Sequence, residues 1–386
     1  MLDSLNSFAV DNGLKPNMDK TKVMIFNKTG RLLHKRFYLG GEEVGTAREY
    51  KYLGFKVTPS GEINSGLTDL KDRALKAFMS MKNKLGPTFR KHPLVTMKLF
   101  ETLIKPILLY ASDFWGILKL PKNNPLETLY LSFCKQLLGV QKQTTNVGVL
   151  LELGLVPLHL YAKKNAIKNW NRIAKFKQAN ELTIQSYNIS LTEQLSWPIQ
   201  CKLNLSQIGM MEVFVANNND TNCHKKVFQR LYDIFIQDSF ADMNRPDSKL
   251  RTYKRLKIKP GFENYLNIIT SQKDRIALSK LRLSNHQLMI EKGRHDKIPK
   301  DMRFCPFCKI QVEDEIHFLM QCKTYKIFKK DLFAKYLKDP KIQESDEPGQ
   351  FTLILGDMSN ISEVAHCINK MFQCREFLTE KHKNLQ

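Results

Sequence analysis

Apolar residues recur along this chain with two different spacings. Leu67, Leu70, Ala74, Ala77, Phe78, Met81 and Leu85 return at three- and four-residue steps, the period of one stripe of an α-helix. Gly86 and Pro87 end that stripe. The same period runs from about Leu94 to Leu103, where Pro106 breaks or kinks it, and again over residues 125–138 and 157–178. A shorter stripe (Leu2, Leu5, Phe8, Ala9) stops at Gly13, where a C-cap belongs. Between these helices the period falls to two. A strand is expected over Thr21 to Phe26, and β elements over Arg36 to Leu39 and Tyr50 to Val57, with a turn at Gly40 and Gly41. In the last β element Leu53, Phe55 and Val57 share one face, and Tyr50, Tyr52 and Lys56 the other. Pro59, Ser60 and Gly61 punctuate its end.

Residues 181–222 lose periodicity, and the run from Asn217 to Asp220 reads as a loop or linker. Helical patterning resumes near Lys225 and continues in a C-terminal tail, with a loop expected around Asp346 to Gly349. No internal repeat is visible. The expected fold is mainly α (α+β overall), with a small N-terminal β-hairpin region. The segments are 1–62, a helical 63–180, a variable linker 181–245, a helical 246–300, a cysteine–histidine segment 301–330 and a helical tail 331–386.

Charge changes the picture more than composition does. Apolar residues form 42% and charged residues 26% of the 386, ordinary for a globular chain, so wholesale disorder and fibrous repeats are excluded. The 61 Lys+Arg exceed the 38 Asp+Glu by 23. Self-repulsion of that size opposes compaction and points to a polyanionic partner. The excess is uneven: residues 71–180 hold 19 basic and 5 acidic residues, and residues 249–300 hold 14 and 4. No signal peptide and no run of 18 apolar residues is visible, so the chain is expected to be intracellular, in nucleus or cytoplasm, not secreted and not membrane-bound. Eight cysteines are too few for a disulfide scaffold, so reduced thiols are expected.

Three of those cysteines fall within 18 positions, in the pattern Cys305-x2-Cys308-x8-His317-x4-Cys322. Zinc takes thiolate and imidazole ligands in a tetrahedron. A C-x2-C turn stiffened by Pro306 delivers two thiolates from one knuckle. Glu313, Asp314 and Glu315 suit the first turn of a helix, where carboxylates meet the positive helix end. His317 then lies on that helix, and Cys322 near its end swings back to the same ion. Four protein ligands leave no position for water, so the expected zinc is structural. Arg303, Lys309 and Lys323 are expected to offset the extra thiolate charge. His366, Cys367 and Cys374 form a fainter cluster that reads as packed core.

No catalytic constellation accompanies this site. The sequence has no Gly-rich phosphate loop, no G-x-S-x-G, no H-E-x-x-H and no Asp-Asp pair. A two-metal phosphoryl-transfer site needs clustered carboxylates, because its ions sit only about 4 Å apart.

Several segments carry a resemblance. Residues 13–24, GLKPNMDKTKVM, resemble a stretch of the reverse transcriptase of non-LTR retrotransposons that directly follows the catalytic strand. Tyr50 to Gly54 (YKYLG) resemble its primer-grip hairpin. Residues 103–116 (LIKPILLYASDFWG) and 149–158 (VLLELGLVPL) resemble segments downstream of the polymerase core. Residues 281–308 with EDEIHFLMQC at 313–322 resemble the C-terminal cysteine–histidine segment of such elements.

The resemblance implies an RNA-directed DNA polymerase, but the Asp-Asp strand that holds the catalytic metals is absent. The chain is therefore expected to be a C-terminal portion, inactive alone and without Mg2+. On this likeness residues 1–62 are a palm remnant with the primer-grip hairpin, 63–180 a thumb, and 301–330 a zinc knuckle. Lys20 or Lys22 matches the lysine segment that assists pyrophosphate departure. Tyr52, Leu53 and Gly54 match residues that steady the primer end. The basic helix, with Lys71, Arg73, Lys76, Lys82 and Lys84 and then Arg90 and Lys91, matches the thumb along the duplex. RNA and DNA are the implied partners. Trp115, Trp170 and Phe304 offer rings for base stacking, with Trp115 better suited to a core. The competing expectation is a helical protein-interaction module in which zinc only holds the fold and the charge serves solubility.

Overall fold

A computed structural model describes every residue except positions 28, 32–34, 122–123, 176–180, 195, 216–221, 337 and 385–386. The Asn217 to Asp220 linker therefore lies outside the described residues. The architecture is mainly helical with two small antiparallel hairpins. After α1 (Leu2–Asp11), β1 (Phe37–Leu39) pairs with β2 (Glu42–Val44), and β3 (Tyr50–Tyr52) with β4 (Phe55–Val57). Gly40 and Gly41 turn the first hairpin at φ 58° and 86°, the left-handed pair that fits the strand twist.

Two β expectations need correction. Tyr50 to Val57 is not one strand: the chain reverses at Leu53 and Gly54, at φ 44° and 83°. Leu53 therefore leaves the face of Phe55 and stands 74% exposed at the tip. Thr21 to Phe26 makes only a single bridge, Val23 to Thr46. Val23 bonds Gly45 and Ala47, and among the described residues no longer partner strand runs beside it.

The helices that follow are α2 (Asn64–Leu85), α3 (Thr88–Lys91), α4 (Pro93–Leu103), α5 (Lys105–Leu108), α6 (Ser112–Trp115), α7 (Pro125–Leu138), α8 (Asn146–Glu152) and α9 (Leu158–Lys175). α4 ends at Leu103 and α5 restarts with Pro106 in its first turn, since the proline has no amide to continue the α4 ladder. α2 buries Leu67, Leu70, Ala74, Phe78 and Met81. Phe78 and Phe89 each meet Phe133 edge-on, and Phe100 stacks on Phe133 at 3.7 Å between centroids. α6 crosses α9 so closely that a Cβ added at Gly116 would collide with the Ala162 carbonyl.

Residues 181–222, where periodicity is lost, hold α10 (Glu181–Thr192), α11 (Trp197–Gln207) and α12 (Met211–Val215), and α13 (Cys223–Asn244) follows where helical patterning resumes. The polar residues of α10 and α11 are not segregated to one side, so no stripe marks those two helices. The four helices are held by a second core in which Trp170, Cys201, Leu205, Val213, Cys223 and Val227 pack together. Trp170 is 1% exposed, stacked on Phe214 and donating to the Tyr187 hydroxyl, so it is no stacking platform.

The remainder is α14 (Tyr253–Leu256), α15 (Tyr265–Ile268), α16 (Gln272–Arg282), α17 (Met289–His295), α18 (Lys326–Tyr336), α19 (Pro340–Gln343), α20 (Glu347–Gly356) and α21 (Ile361–Lys383), with a π-turn at His317–Gln321. The expected loop at Asp346 to Gly349 is instead the start of α20. Asp346 accepts from the Gly349 amide at 2.8 Å, and proline fills the first turn. One core runs from Phe55 to Met371, through α2, α7, α16, the cysteine segment and α21. The segments drawn from sequence thus share two cores. No described helix is long and apolar enough to cross a membrane.

Candidate metal centre

The cysteine segment folds back on itself before its helix begins. Phe304 bridges Val312, the Cys305 amide donates to the Gln311 carbonyl at 2.8 Å, and the Lys309 amide donates to the Cys305 carbonyl at 2.9 Å. This tight reversal presents Cys305 and Cys308 together. Asp314 caps the next turn, its carboxylate accepting from the His317 amide at 2.7 Å.

The turn then widens. The Cys322 amide donates to the His317 carbonyl at 2.8 Å, a five-residue step. In a regular α-helix five residues rotate by about 500°, leaving Cys322 about 140° away from His317. The π-turn closes that gap and brings both side chains to one point. Cys305 Sγ lies 3.9 Å from Cys322 Sγ, and Cys308 Sγ 3.3 Å from His317 Nε2. All four ligand atoms fall within 4.8 Å of one another. Gln321 Oε1 sits 3.2 Å from His317 Nδ1 and orients the ring with Nε2 inward. This Cys3His cluster can hold a metal ion.

The four groups set one another's charge. Hydrogen bonds from Cys305 first, then from His317 and Thr324, pull the Cys322 thiol well below its usual range against the effect of burial. Cys305, the donor of that pair, is pushed up, with burial adding to the effect. Burial lowers the His317 imidazole, but its bond to Cys322 and the nearby sulfur charge raise it to about 9.

The surrounding charges differ from those expected. Arg303 spends its guanidinium on the Ile298 and Ile290 carbonyls. The cation that meets the centre is Lys329, 3.1 Å from the carbonyls of Met320 and Cys322. Glu313 and Glu315 do more than start a helix. Both are 0% exposed: Glu313 is clasped by Arg375 through both oxygens, and Glu315 by Arg251, His286 and Ser284. Hydrogen bonding from His286 and the charge of Arg251 outweigh burial and hold Glu315 down to about 2.

The nucleic-acid candidates divide. Lys20, Lys22, Lys76, Lys84 and Lys91 are exposed, with no ion pair among the described residues. Arg73 is bound to Asp69 at 3.0 Å and to the Gly54 carbonyl at 2.8 Å, and lies over the Tyr110 ring. Lys82 donates to the Gln136 side chain at 2.7 Å and Arg90 to the Gln136 carbonyl at 2.6 Å. Lys71 pairs with Asp72 at 3.0 Å. Across α2 these cations spread over about 200° of the helix and form no single stripe. Tyr52 and Leu53 are exposed at the hairpin tip, where Tyr110 donates to the Leu53 carbonyl. Phe304 is 49% exposed and Trp115 fully buried.

Sequence reasoning missed the interior cations. Arg282 lies between Glu152 and Glu263, Lys257 reaches Glu263, and Arg251 joins Glu291 to Glu315. One signal was present: Arg275, Leu278 and Arg282 share a helical face, so two arginines occupy apolar-stripe positions. No protein-family model matches the chain, and no curated protein and no solved structure matches it.

Proposed function

We propose that the chain is a nucleic-acid-binding portion of a reverse transcriptase of the non-LTR retrotransposon type, with a zinc-stabilised C-terminal knuckle. One observation carries this reading. Three separated segments that bear the resemblance meet on the β3–β4 hairpin: at its open end the Tyr50 hydroxyl reaches the Lys20 carbonyl at 3.3 Å, and at its tip Tyr110 reaches Leu53. In that reading residues 1–62 are the palm remnant and 63–180 the thumb. Lys20, Lys22, Lys76, Lys84 and Lys91 keep their charge for phosphates. Zinc suits the centre, because a zinc–sulfur bond of about 2.3 Å gives a tetrahedral edge of about 3.8 Å, against the 3.9 Å between Cys305 and Cys322. With every position taken by protein, the ion is structural.

Polymerase activity is not expected of this chain alone, since the Asp-Asp pair that would hold Mg2+ is missing from it. RNA and DNA duplexes are the partners to test, by filter binding over a salt series. Each phosphate contact releases counterions, so affinity falls steeply with salt. The triple change of Lys76, Lys84 and Lys91 to Gln reduces the salt slope by roughly 3. Absence of binding at low salt ends this reading. The alternative, a zinc-stabilised protein-interaction module, draws on Arg73, Lys82 and Arg90, whose charge is spent inside the fold.

A further inference from the structure

A cavity lies away from both the cysteine cluster and α2. It has a volume of about 670 Å3 and opens where the 116–121 segment, α7, α9 and α11 meet. That is ample for one nucleotide-sized ligand. Its walls are unusual in charge. Lys163 is half-buried there, and burial lowers its pKa with no other group acting on it. It has no acidic or hydrogen-bonding partner among the described residues. A cation withdrawn from water without a counter-charge is costly, so this one is a place for an anion.

The other charged groups are accounted for. Glu127 accepts from the Leu158 and His159 amides at 2.9 and 3.0 Å, and lies 3.2 Å from His159 Nδ1. Its charge is thus spent on the first turn of α9, and His159 turns its other nitrogen away from it. His159 and Lys163, four residues apart, share one face of α9. Lys119 adds an exposed cation to the rim. Asn146, Gln200, Asn204 and Gln207 also line the cavity, with the Asn204 amide nitrogen donating to the Gln200 and Ile117 carbonyls. Carboxamides offer donor and acceptor side by side, the pattern that matches a nucleobase edge. Ile117, Leu120 and Leu131 supply apolar surface for the flat face of a base.

We infer that this cavity is a nucleotide site, with the phosphate on Lys163 and His159 and the base against the carboxamide wall. The nucleotide is a free nucleoside monophosphate or the terminal nucleotide of a strand. The inference does not require the α2 cations to bind nucleic acid.

Calorimetric titration of the full chain tests it with four probes: AMP, adenosine, inorganic phosphate and a 5′-phosphorylated trinucleotide. AMP or the trinucleotide saturates a single site, and which one does so identifies the source. Adenosine and phosphate each bind at least roughly tenfold more weakly, since each lacks one half of the contacts. Lys163→Met keeps the apolar stem and loses at least roughly tenfold in affinity. Its melting temperature stays level or rises, because an uncompensated cation has been removed. Gln200→Leu weakens AMP without changing phosphate binding. The inference is overturned if neither nucleotide probe saturates a site, or if Lys163→Met binds as well as the parent chain. Retention of salt-sensitive duplex binding in Lys163→Met would separate this site from the α2 surface.

Discussion

Glu313 keeps its carboxylate at 0% exposure because Arg375, 62 positions further on, meets it with two nitrogens at 2.8 and 2.7 Å. The Met289 amide gives one more bond at 2.7 Å. Removing the arginine leaves a buried charge with one amide and the weak contact of the Cys305 sulfur at 3.9 Å, which costs about 3–5 kcal/mol. Arg375→Ala is therefore expected to lower the urea midpoint sharply, and Arg375→Lys to recover part of the loss. An unfolding free energy within about 0.5 kcal/mol of the parent would show that water replaces the guanidinium. These pairs mark the limit of what the chain discloses residue by residue. The four ligands of the metal centre are visible because they lie within 18 positions and their spacing is chemical. The Glu313–Arg375 and Glu152–Arg282 pairs are not, because partners 62 and 130 positions apart leave no local period. A basic surplus read as surface therefore includes Arg251, Lys257, Arg275, Arg282 and Arg375, which the fold draws inside.

At the level of elements, long stripes are reliable and short reversals are not. The spacing over residues 125–138 locates α7 to the residue, and Pro106 marks the α4 boundary. Periodicity alone hides the β3–β4 turn that the YKYLG resemblance implies, because period-two alternation continues through it: Leu53 occupies a strand-like position in the pattern but a left-handed one in the chain. A branched L-residue at φ 44° is held there by Tyr110 on its carbonyl and Arg73 on the next one. Leu53→Asn creates the Asn-Gly pair that this turn type prefers. Leu53 is 74% exposed, so little burial is lost. The variant is expected to gain about 1 kcal/mol in chemical denaturation. Under the proposed function it also loses affinity for RNA, because the apolar tip is gone. A stabilised variant with unchanged RNA binding would move the interface elsewhere. The π-turn shows the same limit. No sequence rule announces a five-residue step, although the His317 to Cys322 interval requires one if both are to reach a single ion.

Across the whole molecule, the question is how far the metal centre supports the rest. Cys305, Phe318, Leu319, Cys322 and Tyr325 belong to the same buried cluster as α2 and α7, which favours a wide effect. The C-terminal half meets the N-terminal half at several specific places: Arg275 donates to the Arg90 carbonyl, Ile276 fills the space beside Gly139, and Tyr265 and Arg282 both reach Glu152. Against this, Phe78, Phe89, Phe100 and Phe133 pack on one another entirely within residues 78–133. That aromatic group needs nothing from the cysteine segment. Structural zinc contributes roughly 10–16 kcal/mol in small peptides, enough to unfold a region that depends on it. A strong chelator, or Cys308→Ser, should therefore remove the metal and open residues 301–330. The loss should spread to α17 and the end of α21, which Glu313 joins through Ile290 and Arg375. Hydrogen exchange measured with and without chelator reads this directly. Amides of residues 289–330 and near residue 375 lose protection, while those of α2, α4 and α7 keep theirs. Uniform loss along the chain would mean that the shared core, not the aromatic group, governs the N-terminal half. No change anywhere, with no metal found by elemental analysis, would reduce the cluster to packed thiols beside a histidine.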